Sequence, residues 1–153
     1  MTTDATCPIC TMSAADSMPL GGRWRLRRHP DPSPVAGWAI LDLARHAATL
    51  DELTGEESEE LGRLLVEVSA AVRQATGCAR VYLLSFAEAA RHVHLHLVPR
   101  HEREEETRGW SVADHYRAVA AGTRSPADPA RCAAAFAEIA RRLPATRSRG
   151  SGG

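Results

Sequence analysis

The sequence predicts an α+β domain in which an antiparallel sheet packs against a long helix, with further helices toward the C-terminus. Three observations carry this prediction. Alternating or compact apolar runs on both sides of residue 54 read as strands, a capped amphipathic stretch separates them, and the strand-helix order is β-β-α-β-β. At 153 residues the chain has room for one core. That core is expected over residues 1–145, with residues 1–22 as an N-terminal segment and residues 146–153 as a disordered tail.

Residues 23–28 alternate arginine with Trp24 and Leu26, the pattern of a half-buried strand. Residues 29–37 hold Pro30, Pro32 and Pro34 and read as a loop, with His29 as a turn residue. The apolar run at 38–43 is a second strand, antiparallel to the first. Thr54 and Glu57 then form a capping-box pair, and Leu61, Leu64, Leu65, Val68 and Val72 mark one helical face that Gly77 ends. Residues 80–86 form a compact β-branched and aromatic run, and residues 91–100 alternate strictly, so both read as strands. Beyond a charged loop at 101–108, a helix is expected from about Ser111, with Trp110 as a core residue. Another follows Asp128 and Pro129 and presents Phe136, Ile139, Ala140 and Leu143.

Composition removes several function classes. Net charge is zero, so no bulk field draws the protein to nucleic acid or an anionic membrane, and any phosphate binding must be local. All 19 basic residues are arginine, which excludes lysine Schiff-base chemistry and a Walker lysine. No stretch approaches the ~18 apolar residues of a membrane span, and residues 1–11 lack an apolar signal region, so the protein reads as cytoplasmic. Thiols stay reduced there. The Cys7/Cys10 pair is then better read as metal-binding than as part of a disulfide framework, while Cys78 and Cys132 are isolated.

The most informative segment is His92-Val93-His94-Leu95-His96-Leu97-Val98-Pro99-Arg100. A strand repeats every two residues, so the three imidazoles face one way and Val93, Leu95 and Leu97 face the helix. One metal held by all three is geometrically poor, because the backbones of His92 and His96 lie ~13 Å apart along a strand. The preferred reading gives each histidine a separate task, with the middle one as nucleophile. A neutral imidazole near its pKa attacks well and leaves well, so one difficult displacement becomes two easier ones.

This pattern, with Pro99-Arg100 after it, resembles the signature of the histidine triad (HIT) superfamily. The similarity extends over a strand ending in Ala44-Arg45-His46, then Leu53-Thr54-Gly55-Glu56-Glu57 entering a helix, and spans roughly residues 23–101. The resemblance implies a HIT-like fold, a homodimer, and a nucleotide hydrolase or nucleotidyl transferase acting on a purine nucleotide or nucleotide conjugate. His94 would attack the α-phosphorus and carry a transient nucleotidyl group. His96 would touch the phosphate oxygens, and its main-chain carbonyl would orient the His94 ring. The first strands would line the base pocket, which makes Leu26, Trp38 and Ile40 candidates. The alternatives are a phosphorylase or transferase of a specialised pathway, and a non-catalytic nucleotide-binding adaptor.

The same resemblance supplies partners for the CxxC pair. Related proteins complete such a site with two histidines, here His46 and His92, giving a structural Cys₂His₂ zinc site with Cys7 and Cys10. If no metal binds there, the two cysteines would be free thiols and His46 would hydrogen-bond His92. One departure from the family pattern stands out. Glu88 occupies the place where a phosphate-binding glutamine is common, and a carboxylate repels polyphosphate unless paired or protonated. Arg91 beside the triad offsets that charge. Glu88 and Arg91 are therefore candidate substrate-binding residues, with Glu88 recognising a hydroxyl or amine or acting as acid or base.

Overall fold

The computed structural model describes residues 3–12 and 17–144. The expected tail at 146–153 lies outside them. A short helix α1 (Pro8–Thr11) is followed by β1 (Ser17–Leu20), β2 (Trp24–Arg28), β3 (Ala39–Leu43), α2 (Gly55–Thr76), β4 (Arg80–Leu84), β5 (His94–Arg100), α3 (Ser111–Ala120) and α4 (Pro129–Arg142). The strands form one antiparallel sheet in the order β1-β2-β3-β5-β4. None of the described helices is long and apolar enough to cross a membrane.

Local chemistry fixes α2 at both ends. The Thr54 side chain accepts from the Glu57 amide while the Glu57 carboxylate accepts from the Thr54 amide. Gly77 closes the helix at φ 68°, a left-handed conformation that glycine adopts at little cost, and its N–H bonds Arg73 O. Leu64, Val68, Ala71 and Val72 of this helix are buried against the sheet. Each large aliphatic side chain removed from water contributes roughly 1.5–3 kcal/mol, an upper estimate. The facing residues are Trp24 and Leu26 of β2, Ala39, Leu41 and Leu43 of β3, and Leu97 of β5, and α4 adds Ile139.

Leu26 therefore belongs to the helix-side core and does not line the histidine face. Its parity along β2 decides the matter, because alternate side chains leave opposite faces of the sheet. Ile40, one residue out of phase with the core positions of β3, is paired in register with His96 and lies on the other face.

Two elements differ from the sequence expectation for simple reasons. β1 contains Pro19, which cannot donate to a ladder, yet β1 is an edge strand and tolerates it. β5 begins at His94, not at residue 91. The chain enters it through Val93, whose N–H bonds Ala47 O and whose carbonyl accepts from the Leu43 amide. Trp110 is not core; it stands 77% exposed ahead of α3.

Candidate active site and metal centre

The face of the sheet away from α2 carries a line of polar and aromatic groups that begins where β3 ends. Arg45 grips the N-terminus of α2 through a two-pronged ion pair with Glu57, Nε to Oε1 at 2.7 Å and Nη2 to Oε2 at 2.7 Å. That pairing holds the Glu57 carboxyl down to about 2, and it fixes the loop from which His46 projects. His92 stands nearby, its ring centroid 5.3 Å from that of His46. The N-terminal segment folds back so that Cys7 Sγ and Cys10 Sγ each lie 3.5 Å from His92 Nδ1, with Cys10 Sγ 3.6 Å from His46 Nδ1.

These four residues fit zinc. Their ligand atoms all lie within 4.8 Å of one another. Around a tetrahedral zinc, with Zn–S ~2.3 Å and Zn–N ~2.1 Å, sulfur and nitrogen ligands sit about 3.6 Å apart, close to the separations here. The tautomer of His92 also fits. Its Nε2–H donates to Leu43 O at 2.8 Å, so Nδ1 presents a lone pair toward the thiols. All four positions come from the protein, as in a structural site rather than a catalytic one. Burial raises the Cys10 thiol above its ordinary value, so metal binding must displace its proton.

His94 follows, 8% exposed. Its Nδ1 lies 2.6 Å from the main-chain carbonyl of His92. A carbonyl only accepts, so Nδ1 carries the proton and Nε2 is left with a free lone pair. The orienting carbonyl is thus that of His92 and not that of His96, because the chain bends into β5 at His92. The His94 carbonyl in turn accepts from Ser85 Oγ at 2.8 Å.

His96 lies beside it, ring centroids 5.2 Å apart. Its Nδ1 accepts from Trp38 Nε1–H at 3.1 Å. Burial first, and then the neighbouring His94 and His29, push its pKa down to about 3, so the ring is neutral. With Nδ1 occupied as an acceptor, the proton sits on Nε2. The two active-face histidines therefore hold opposite tautomers, His94 an Nε2 lone pair and His96 an Nε2–H donor.

Several residues here escaped the sequence reading. His29 is buried against Trp38 at 4.8 Å, and its Nδ1 donates to Pro30 O at 2.8 Å. Tyr116 of α3 stands 5.9 Å from both rings. Asp42, fully buried and paired in register with His94, accepts from Arg25 Nε at 2.8 Å and Arg27 Nε at 2.7 Å. Arg27 also reaches the carbonyl of Ile9 in α1 at 3.4 Å. The alternation of residues 23–28 with Asp42 was the available signal for this triad. Glu88 and Arg91 are exposed, on the segment between β4 and β5, and Arg100 leaves the end of β5 toward Thr107.

The five-stranded antiparallel sheet backed by a long capped helix is a fold shared with solved histidine triad proteins. Comparison with solved structures agrees. A Hit-like protein involved in cell-cycle regulation from Bartonella henselae superposes with a TM-score of 0.66 at 13% identity, covering 94% of this chain and 100% of that one. A zinc-bound histidine triad family protein from Mycobacterium smegmatis gives 0.60 at 16% identity, covering 89% and 94%. A diadenosine triphosphate hydrolase from Plasmodium falciparum gives 0.52 at 14% identity, covering 70% and 78%. The sequence matches no protein-family model and no curated protein.

Proposed function

We propose that this chain is a nucleotide hydrolase or nucleotidyl transferase in which His94 Nε2 attacks the α-phosphorus of a purine nucleotide or nucleotide conjugate. The observation that carries the proposal is the 2.6 Å contact of His94 Nδ1 with the His92 carbonyl, which leaves Nε2 unprotonated beside the Nε2–H of His96. A nucleophile and a hydrogen-bond donor then meet one phosphoryl group, the first at phosphorus and the second at an oxygen. The Nε2–P bond forms as the bond from phosphorus to the leaving oxygen or nitrogen breaks, and the departing atom takes a proton from water. A water oxygen or another acceptor then forms the new bond to phosphorus, loses its proton, and the imidazole departs.

Ile40 and Trp38, on the same face, serve as walls of the substrate pocket, and the exposed Glu88 and Arg91 stand at its approach. The zinc site supplies no reacting group. Its residues tie the N-terminal segment to His92, whose carbonyl sets the nucleophile. The protein is proposed to act as a homodimer, a reading supported by the β4 sheet edge with its exposed Leu83.

Incubation with adenosine and guanosine conjugates followed by intact-mass and peptide analysis tests the proposal. Turnover with a nucleotidyl adduct on His94 is the expected result. Tight nucleotide binding without adduct or turnover would replace the enzyme with the adaptor reading.

A further inference from the structure

We infer that Trp38 is a positioning residue that fixes which nitrogen of His96 carries the ring proton, an inference that rests on the role given to His96 in the proposed reaction. An indole N–H donates and cannot accept. Placed 3.1 Å from His96 Nδ1, it is satisfied only when that nitrogen offers a lone pair. The neutral ring then has one arrangement, with its proton on Nε2. Protonating His96 would set two donors against each other with no acceptor between them, so the same contact that selects the tautomer also opposes the imidazolium.

The indole is well placed to impose this. Trp38 is 6% exposed, its main-chain N–H donating to Val35 O at 3.3 Å and its carbonyl accepting from the His29 amide at 3.0 Å. His29 and Tyr116 pack against its ring, which meets the His96 ring edge-on at 85°. The titratable groups facing His96 are His94 on its own strand and His29 from the β2–β3 loop, at centroid distances of 5.2 and 6.2 Å, with Tyr116 of α3 behind Trp38. Neither histidine supplies a negative charge to stabilise an imidazolium at His96. Trp38 thus keeps His96 a neutral donor toward phosphoryl oxygen.

The test is a long-range ¹H–¹⁵N correlation spectrum of the imidazole rings in the full, zinc-loaded chain between pH 5 and 8, with no substrate present. The expected wild-type spectrum has His96 with a bare Nδ1 and a protonated Nε2, and no titration. In Trp38→Phe, His96 is expected to exchange between its two neutral tautomers, while burial and the neighbouring His94 and His29 still keep it from titrating in this range. Catalysis should then fall with the fraction of His96 rings that hold the proton on Nδ1, about twofold in kcat/KM for an even mixture, with no new acid limb. Where the smaller ring fails to fold, benzothienylalanine at position 38 keeps the bicyclic shape and places sulfur where the N–H was. A wild-type His96 protonated on Nδ1, or titrating near 6.5, overturns the inference. So does a His96 spectrum that ignores loss of the indole N–H. The spectra need no turnover. An inactive protein with the expected spectrum therefore defeats the proposed reaction and leaves the tautomer lock standing.

Discussion

The two faces of β3 are both buried but are held by different physics. Ala39, Leu41 and Leu43 meet aliphatic side chains of α2 and α4, where contacts are numerous and individually replaceable. Ile40 and Asp42, on the opposite side, face histidines and arginines whose hydrogen bonds are few and directional. A close-packed apolar layer loses energy gradually as it is trimmed, whereas a buried polar network fails when one partner goes. One face of the sheet therefore supplies stability and the other supplies chemistry, and substitutions should separate them.

The sharpest separation is expected at His94. His94→Ala removes the nucleophile, and turnover should fall by at least about 10³-fold, the scale of losses when a catalytic nucleophile is deleted. Circular dichroism melting should place its Tm within a few degrees of wild type, because the ring contributes little to the aliphatic core. A variant with wild-type rates would remove His94 from the reaction.

Asp42→Asn tests whether the polar face is as brittle as its geometry suggests. The carboxylate is fully buried between Arg25 and Arg27, and the Arg27 side chain is only 2% exposed. Replacing the shared carboxylate with a neutral amide weakens two charge-assisted hydrogen bonds at once, a loss of roughly 1.5–3 kcal/mol. Leu64→Ala on the other face should cost about 2–5 kcal/mol through lost burial and a cavity and leave the His94 adduct intact. Denaturant unfolding compares the two, and the contrast dissolves if Asp42→Asn costs under about 1 kcal/mol.

The same contrast explains what could be read in the sequence. Helix α2 was legible from cap to cap, because Thr54, Glu57 and Gly77 act locally and the apolar spacing needs no partner. The Val93, Leu95 and Leu97 side of the histidine segment was legible for the same reason. The same period put the three imidazoles on the other side, but their cross-strand partners were not legible, because these meet only through strand register: Asp42 finds Arg25 and Arg27 across β2, and Trp38 finds His96 across β5. His29 read as a turn residue among prolines, and nothing nearby in the chain says that Trp38 and Tyr116 bury it. The set Cys7, Cys10, His46 and His92 was assembled from the family resemblance, since its members lie up to 85 residues apart.

Metal analysis probes the end of the polar face. Purified protein should carry about one zinc per chain, and Cys7→Ser with Cys10→Ser should abolish it and loosen the N-terminal segment, seen as faster proteolysis there. Zinc content well below one without loss during purification would reduce the cluster to free thiols and imidazoles.

The smallest expected effect is the histidine part of the pH dependence of stability, and its sign distinguishes the faces once more. Burial holds His29 and His96 below the ordinary histidine value, so the unfolded chain takes up these protons first. Their neutral forms cost nothing above about pH 6.5, and stability falls as pH drops below it, by under about 1 kcal/mol per group at pH 6. Glu57 acts lower. Held to about 2 by Arg45 against an ordinary 4.5, its contribution is complete above pH 4.5 and disappears as pH falls toward 2. Denaturant midpoints measured from pH 8 to 3 should therefore decline in two stages. His29→Gln should shallow the first and Glu57→Gln the second. A single decline confined below pH 4.5 would mean that the histidines are solvated, and the polar face would be an open surface rather than a built site.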